Sequence, residues 1–354
     1  MKTPTLGHRE FQAVIFFAPV LTLSGLQAVA QLGLATTSPP PHFVASRAAH
    51  ETVWQRVEEP SRFGLSRERV SAYVELATGL NFFDETTQAW RPSREEWEVY
   101  PEAIVARWGQ HQVVLATNLN LPGAVEVLTP DGVRLVSRPV SLGLYDPVDG
   151  KQMVIAELKD CVPVRGASAN EIVFRDCFDR LRGSIRYLYT RAGVHQHVVL
   201  EQRLELPEGF SDQNRLECYT VFAADTPQPR ITTRVLRGER DARLRALMVE
   251  PDFTDSEISF GESMAMRAGR AFSLGDEAQA RSIRVGKQFS EIDGLPVLIE
   301  AVEFEQIEPL LARLAALERS GTGGLAIIQR GGSSGQRSRP GCRVSVFAQG
   351  SRRR

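Results

Sequence analysis

The sequence predicts an all-β fold, an antiparallel β-sandwich with one short C-terminal helix. Hydrophobic and polar residues alternate with a period of two through the middle of the chain, and short turn sequences separate these runs. Strands joined so closely pair antiparallel, because a parallel pair needs a crossover of about a dozen residues or more. A supersandwich is one architecture that this class includes.

The stretch from Glu98 to Leu206 carries the clearest strand pattern. Gln110–Thr117 alternates along its whole length, and Ala124–Val136 contains a tight-turn sequence and is predicted to be a hairpin. Two further turns separate predicted strand pairs. These pairs are Val140–Tyr145 with Gln152–Leu158, and Ser184–Thr190 with Val194–Gln202.

Further strands and a helix are predicted outside this block. The strand candidates are Val70–Leu76, Leu80–Phe83, Ala89–Arg91, Arg215–Phe222, Arg230–Arg237, Ile258–Met266, Arg270–Leu274, Gln288–Ile292 and Pro296–Phe304. Asp293 and Gly294 favour a tight hairpin between the last two. Glu308–Leu317 has a leucine stripe at helical spacing, with Pro309 suited to a first turn.

The N-terminal sequence predicts export. Residues 1–30 have a weakly basic start, an apolar run over Ala13–Leu26 and the small-residue sequence Ala28-Val29-Ala30, which together indicate a secretory signal peptide. A buried N-terminal strand is the alternative. No later segment is apolar enough to span a bilayer, so we expect a secreted, periplasmic or cell-surface protein without a membrane span.

The rest of the chain divides into three predicted segments. Residues 31–60 contain Ser38-Pro-Pro-Pro-His42 and are predicted to be a linker. Residues 61–320 form the β-rich domain, either as two packed sheets or as two subdomains. Residues 321–354 are rich in Gly and Ser and are predicted to be a disordered basic tail, or the product of a truncated or shifted reading frame.

The charge distribution argues against nucleic-acid binding. The chain has 42 basic and 43 acidic residues, and acidic residues are interleaved with the arginines through the body of the chain. The last 34 residues hold seven arginines and no acidic residue, and residues 1–30 are net +1, so residues 31–320 carry a net charge of −9. A basic tail of this kind can bind an anionic partner.

Two histidines on one strand are the most suggestive polar pair. His195 and His197 project from the same face of a strand and could share a metal, with His111 or Glu201 as a third ligand. Two solvent-facing histidines are the plainer interpretation. In the same way, Asp252 and Asp255 could hold Ca²⁺ from a predicted loop, although turn formation explains acidic residues in loops equally well.

The four cysteines lack the spacing of a zinc site. Cys161 and Cys177 are the most local pair and could form a disulfide in an exported protein, while buried free thiols fit the sequence equally well. Trp90, Trp97 and Trp108 are interpreted as core or sheet-edge residues, with a sugar-stacking platform as the alternative. We find no nucleotide-binding or hydrolase motif, and we expect no cofactor.

Several local sequences together resemble a group of uncharacterised, secreted, β-rich bacterial proteins, some of them associated with RHS/YD-repeat proteins. They are Thr78–Asp84, Trp90–Ser93, Gly109–Gln112, Pro122–Val125, Thr129–Gly132, Tyr189–Gly193 and Gln196–Leu200. The likeness covers roughly residues 50–305 and consists of turns and strand cores. It implies an exported β-domain and carries over no active-site residue.

Two functions are open at this point. The first is a non-catalytic β-sandwich module for binding or structural assembly at the cell surface, with a carbohydrate or a larger surface protein as partner. The second is a carbohydrate-active enzyme of the β-supersandwich type, similar to a mutarotase or a lyase. Its candidate catalytic residues are His195, His197, His111, Tyr187 and Glu201. A secreted metal-binding protein is a third hypothesis.

Overall fold

The fold is known from a computed structural model. The structure describes residues 42–58, 69–211, 213–236, 243, 253–267, 269–274, 283–319 and 343–352. The predicted signal peptide of residues 1–30 lies outside these ranges, as do Asp252 and Cys342.

Most of the described residues lie in strands, and all the paired strands run antiparallel. The strands are β1 Phe43–Ala48, β2 Glu51–Glu58, β3 Arg69–Leu76, β4 Asn81–Asp84, β5 Ala89–Pro92, β6 Glu98–Val99, β7 Ala103–Ala106, β8 Gln112–Ala116, β9 Val125–Leu128, β10 Arg134–Asp146, β11 Lys151–Glu157, β12 Pro163–Arg165, β13 Glu171–Phe174, β14 Gly183–Thr190, β15 Gly193–Leu200, β16 Arg215–Phe222, β17 Arg230–Leu236, β18 Phe253–Phe260, β19 Met264–Arg267, β20 Gly269–Leu274, β21 Ile283–Ile292, β22 Leu295–Glu303 and β23 Arg343–Arg352. The helix α1 spans Phe304–Arg319.

Two large sheets form the body of the molecule. In the first, β6 to β10 pair in chain order, β10 also pairs with β11 and β16, and β22 lies between β16 and β21. In the second, β12 to β15 pair in chain order and β23 lies between β15 and β19, which continues to β18 and β17. β20 pairs with both β21 and β23 and so joins the two sheets.

Two smaller pieces precede these sheets. β1, β2 and β3 form a three-stranded sheet, and β4 and β5 form the predicted hairpin. β1 and β2 both lie in the segment of residues 31–60 that was predicted to be a linker. Thr52 is fully buried and hydrogen-bonds to Asn81, which ties this segment to the chain beyond it.

The core lies between the two large sheets. Leu142 and Leu216 contribute to it from the first sheet, and Phe174, Ile185 and Tyr187 from the second. In β14, the buried residues Ile185, Tyr187 and Tyr189 alternate with half-buried ones, as in a β-sandwich. The all-β antiparallel prediction is therefore confirmed, together with the C-terminal helix.

The helix begins earlier than predicted. α1 starts at Phe304 instead of Glu308, which places Pro309 inside the helix rather than in its first turn. The reason is packing, because Phe304 and Ile307 are buried and extend the apolar face that Leu311 and Leu314 continue.

Three other boundaries differ from the predictions. β10 is a single 13-residue strand where two shorter runs were expected, because the register irregularity between Pro139 and Ser141 accommodates the proline. A turn at Gly261, with φ +67°, splits the predicted strand Ile258–Met266. β23 lies within the predicted disordered tail, where Val344, Val346 and Ala348 provide a strand-like alternation.

Candidate functional site

An apolar cavity of about 100 Å³ lies between the two large sheets and is partly open. Strands of both sheets line it. From the first sheet come Val125, Val127, Leu135, Ser137, Thr220, Phe222 and Leu298, and from the second come Tyr187, Val194, Gln196, Phe260, Met264, Ala265 and Met266. Hydrophobic side chains therefore surround a space the size of a small ligand or ligand group.

Three polar side chains meet in the wall of this cavity. Tyr187 donates a hydrogen bond to Gln196 Oε1 at 2.7 Å, and Gln196 Nε2 donates to Thr220 Oγ1 at 3.4 Å. Tyr187 and Gln196 are a cross-strand pair of β14 and β15, whereas Thr220 comes from β16 in the other sheet. Because burial raises the pKa of Tyr187, its hydroxyl remains a neutral donor.

A second cavity lies beside the helix. It measures about 240 Å³, and its walls come from residues 203–206 together with Phe304, Glu308 and Leu311. Exposed charged side chains contribute to it, including Arg203 and Glu205. The cavity between the sheets is the better candidate for a binding site, because its walls are two regular sheets and its polar groups converge at one place.

A buried ion pair lies near the cavity in the fold. Lys287 Nζ is 3.0 Å from Asp255 Oδ1, with the lysine side chain fully buried and that of Asp255 only 8% exposed. The two residues come from β21 and β18. Burial lowers the pKa of Lys287, although the hydrogen bond to Asp255 opposes this effect.

Glu300 is a buried acid next to this pair. It is the register partner of Lys287 on one side and of Cys218 on the other. Burial raises the pKa of Glu300 to about 8, with the positive charge of Lys287 acting in the opposite direction. Its side chain is therefore mostly protonated at neutral pH, and its Oε1 atom has no hydrogen-bond partner among the residues that the structure describes.

The sequence predictions did not include Lys287, Glu300, Gln196 or Thr220. A signal was present for the two charged residues. Each occupies an inward position in an alternating strand, Lys287 between Val285 and Phe289 and Glu300 between Leu298 and Val302. A charge at an apolar position indicates a buried partner or a functional site, but it does not identify the partner.

The predicted histidine pair shares one face of β15. The ring centroids of His195 and His197 are 6.1 Å apart. Burial, and then the positive charge of Arg186, lowers the pKa of both imidazoles, that of His197 strongly. Arg186 is the register partner of His197, so a fixed positive charge faces the place where a shared cation would bind.

The other candidate catalytic residues lie in different places. Tyr187 points into the apolar cavity, on the opposite face of β14 and β15 from the histidine pair. His111 is fully buried against Tyr189, with ring centroids 4.8 Å apart. Glu201 follows β15 and accepts a hydrogen bond from Ser184 at 2.5 Å. The five residues are thus not brought into one cluster.

One of the two predicted calcium ligands, Asp255, lies within the described residues. Asp255 belongs to β18 rather than to a loop, and its carboxylate is engaged by Lys287. Among the residues that the structure describes, no three His, Cys, Asp or Glu side chains are grouped so that they could hold a metal ion.

The cysteines and tryptophans are mostly packed in the fold. Cys161, Cys177 and Cys218 are buried free thiols. Trp97 is in the core, where it donates a hydrogen bond to the Asn170 carbonyl at 2.8 Å. Trp90 contacts Phe83. Trp108 lies between two guanidinium groups, those of Arg94 and Arg107, at 5.3 and 4.8 Å from its ring centroid.

Fold and site together define an antiparallel β-sandwich with an apolar cavity between its sheets. No protein-family model, curated protein or solved structure matches this chain. Within the described part of the chain, the helical residues offer no stretch of the length and hydropathy needed to cross a lipid bilayer.

Proposed function

We propose that the protein is a β-sandwich binding module whose ligand is a small, mostly apolar molecule carrying one hydrogen-bond acceptor. The observation that carries this proposal is the cavity between the sheets, with its mostly apolar walls and the hydrogen-bonded group of Tyr187, Gln196 and Thr220. A cavity of about 150 Å³ lined by apolar side chains can hold benzene, so this partly open space of about 100 Å³ suits a ligand group of at most about that size.

Gln196 is the residue that would recognise the polar end of the ligand. Its Oε1 atom accepts from Tyr187, so its amide nitrogen remains as the donor. The bond from that nitrogen to Thr220 is long, at 3.4 Å, and an amide nitrogen has two hydrogens to donate. A carbonyl or hydroxyl oxygen of the ligand can therefore be accommodated without breaking the bond to Tyr187.

Calorimetric titration with cyclopentanone and with cyclopentane tests this proposal. We expect both to bind, and the ketone more tightly, because only the ketone offers an oxygen to Gln196. Val194→Phe should abolish binding by filling the cavity, whereas Val114→Phe, at a 37% exposed position of β8, should leave it unchanged. The proposal fails if neither compound binds, or if the two variants behave alike.

The N-terminal sequence supports an extension of this proposal, in which the module is exported and acts at the cell surface. The apolar run and the small-residue sequence before Gln31 carry this extension. Fractionation of cells expressing the full chain tests it, and a cytoplasmic product that retains residues 1–30 would contradict it.

A second candidate function, carbohydrate binding, is favoured by an aromatic row on the three-stranded sheet. Trp54 and Tyr73 are cross-strand partners with rings 6.0 Å apart and nearly parallel, and His42 contacts Tyr73 at 5.2 Å. Tyr73 is 49% exposed. Trp54 donates to Glu75 Oε2 at 3.0 Å, so a carboxylate that can accept from sugar hydroxyls lies beside the rings.

A glycan array probed with the full chain tests the second candidate. Trp54→Ala and Tyr73→Ala should each remove binding, because the rings supply the apolar surface for a sugar face. Trp90→Ala, on the β4–β5 hairpin, is the matched control and should retain it. Equal glycan binding by all three variants would reject the aromatic row as the site.

A further inference from the structure

A continuous ladder of paired strands runs through both large sheets from β11 to β12. From β11 the ladder runs through β10, β16, β22 and β21, crosses at β20 to β23, and returns through β15, β14 and β13 to β12. β11 and β12 are consecutive in the chain, so its two ends lie next to each other. An antiparallel bridge between Leu158 and Phe178 marks this place.

Two cysteines flank the hairpin at this end of the ladder. Cys161 lies on the connection from β11 to β12, and Cys177 follows β13. The Cys177 thiol donates a hydrogen bond to the Phe174 carbonyl at 2.9 Å, and the Cys161 thiol lies within hydrogen-bonding reach of the Cys177 thiol. Both are buried, with Cys161 6% exposed and Cys177 fully buried.

Backbone hydrogen bonds hold both cysteines in place. The Cys177 carbonyl accepts from the Lys159 amide at 2.8 Å, and the Cys177 amide donates to the Gly183 carbonyl at 2.9 Å. The Cys161 amide donates to Asn118 Oδ1 at 3.3 Å. The backbone of both cysteines is therefore fixed by the surrounding fold.

We infer that Cys161 and Cys177 are a modification site at which a disulfide closes the gap between the two ends of the ladder. The bond would link the connection leaving the first sheet to the segment leaving β13 of the second sheet. It would constrain a loop of unfolded chain and so stabilise the fold. Cys218 belongs to β16 of the first sheet and would remain a free thiol.

The chemistry requires a small disulfide as oxidant, such as oxidised glutathione. The Cys161 thiolate attacks one sulfur of the oxidant, forming a mixed disulfide and releasing one thiolate. The Cys177 thiol loses its proton and attacks the Cys161 sulfur, which forms the protein disulfide and releases the second thiolate. The two protein thiols give up two protons and two electrons, and the oxidant is reduced to two thiols.

Cys161 is suited to the attacking role. It is the more exposed of the two, and its hydrogen bond with Cys177 lowers its pKa, whereas the same hydrogen bond and burial raise the pKa of Cys177. A thiol with a lowered pKa is present as thiolate in a larger fraction, and the thiolate is the nucleophile.

The experiment uses the full chain, refolded with oxidised glutathione or with a reducing agent. After denaturation and alkylation, mass spectrometry should show two fewer alkylated thiols in the oxidised sample, and a linked peptide pair containing Cys161 and Cys177. The oxidised form should have a thermal midpoint several degrees higher, and the reducing agent should reverse the increase.

Serine variants separate this pair from the other thiols. Cys161→Ser should show neither the linked peptides nor the gain in thermal midpoint. Cys177→Ser, which removes the other thiol of the pair, should behave in the same way. Cys218→Ser should keep both effects. The inference is overturned if the oxidised wild-type chain keeps all its thiols open to alkylation, or if the linked peptide contains Cys218 or Cys342.

Discussion

The apolar cavity and Glu300, which is the register partner of Lys287 in the buried ion pair, lie along the same face of β16 and β22. The polar side chains at these two places differ in charge. At the cavity, Thr220 is the register partner of Leu298, and the polar side chains nearby are neutral and hydrogen-bonded to one another. Two residues further along, Cys218 is the partner of Glu300, and the neighbouring groups Lys287 and Asp255 are charged.

This difference shows what each place can do. A neutral hydrogen-bonded group can exchange one partner for a ligand atom at little cost. A buried charge that loses its partner destabilises the fold strongly, because the protein interior does not solvate the charge as water does. The cavity is therefore suited to binding, and the ion pair should control stability and its dependence on pH.

The largest expected effect follows from removing one partner of the ion pair. Lys287→Met leaves the Asp255 carboxylate buried without its cation and should lower the free energy of unfolding by about 3–5 kcal/mol. Denaturant unfolding followed by circular dichroism measures this. Adding Asp255→Asn should recover part of the loss, because the unpaired charge is then gone as well.

Lys159→Met is the matched control for that variant. Lys159 also pairs with an aspartate, Asp176, at 2.8 Å, but the two side chains are 39% and 71% exposed. Its loss should cost less than about 1 kcal/mol, because water already screens the pair. If the two lysine variants were equally stable, the contrast between a buried and an exposed pair would be wrong for this protein.

A somewhat smaller effect is expected at Glu300, and it should depend on pH. The pKa of this side chain is about 8 in the folded chain against 4.5 for the free group, so the native state holds a proton that the unfolded state releases between these values. Its contribution to stability is complete below about pH 4.5 and is lost as the pH rises to about 8. The slope should be about 1.4 kcal/mol per pH unit.

Glu300→Gln tests this dependence, because the amide cannot ionise. The variant should lose the slope and be more stable than the wild type at pH 7, by roughly 3 kcal/mol. Unfolding measured from pH 5 to pH 8 gives both quantities. Parallel curves for the two proteins would show that Glu300 does not hold a proton in the fold.

The smallest effect is expected at the cavity. Tyr187→Phe removes the hydroxyl that donates to Gln196 and should cost only about 1 kcal/mol of stability, because Gln196 is half-buried and can turn to another partner. Its unfolding curve should show no new dependence on pH below pH 9. A loss comparable to that of Lys287→Met would contradict the proposed difference between the two places.

The architecture was largely predictable, because the signals for it are local. The hairpin around Asp293 and Gly294 follows from the turn residues, which have φ of +53° and +76° in the structure. Arg215–Phe222 was predicted with the boundaries that it has as β16. Short elements such as β12 and β13 were missed, because three or four residues are too few to show an alternation.

The candidate site was predictable only in part. Tyr187 was named as a candidate residue, but no sequence signal connects it to Thr220, which lies 33 positions away on the other sheet. His195 and His197 were predicted to share a face, and they do, yet Arg186 faces them from the neighbouring strand. Cross-strand neighbours of this kind depend on register, which a single strand does not encode.

The sequence by itself determined that this chain folds into antiparallel strands and where most of them turn, because alternation and turn chemistry act over a few residues. The tertiary structure alone decided which strands became neighbours. It placed Lys287 against Asp255, Tyr187 beside a cavity and Cys161 next to Cys177. The physical reason is that burial and side-chain pairing arise between strands that are distant in the sequence. The sequence of one strand does not specify which other strand will pack against it.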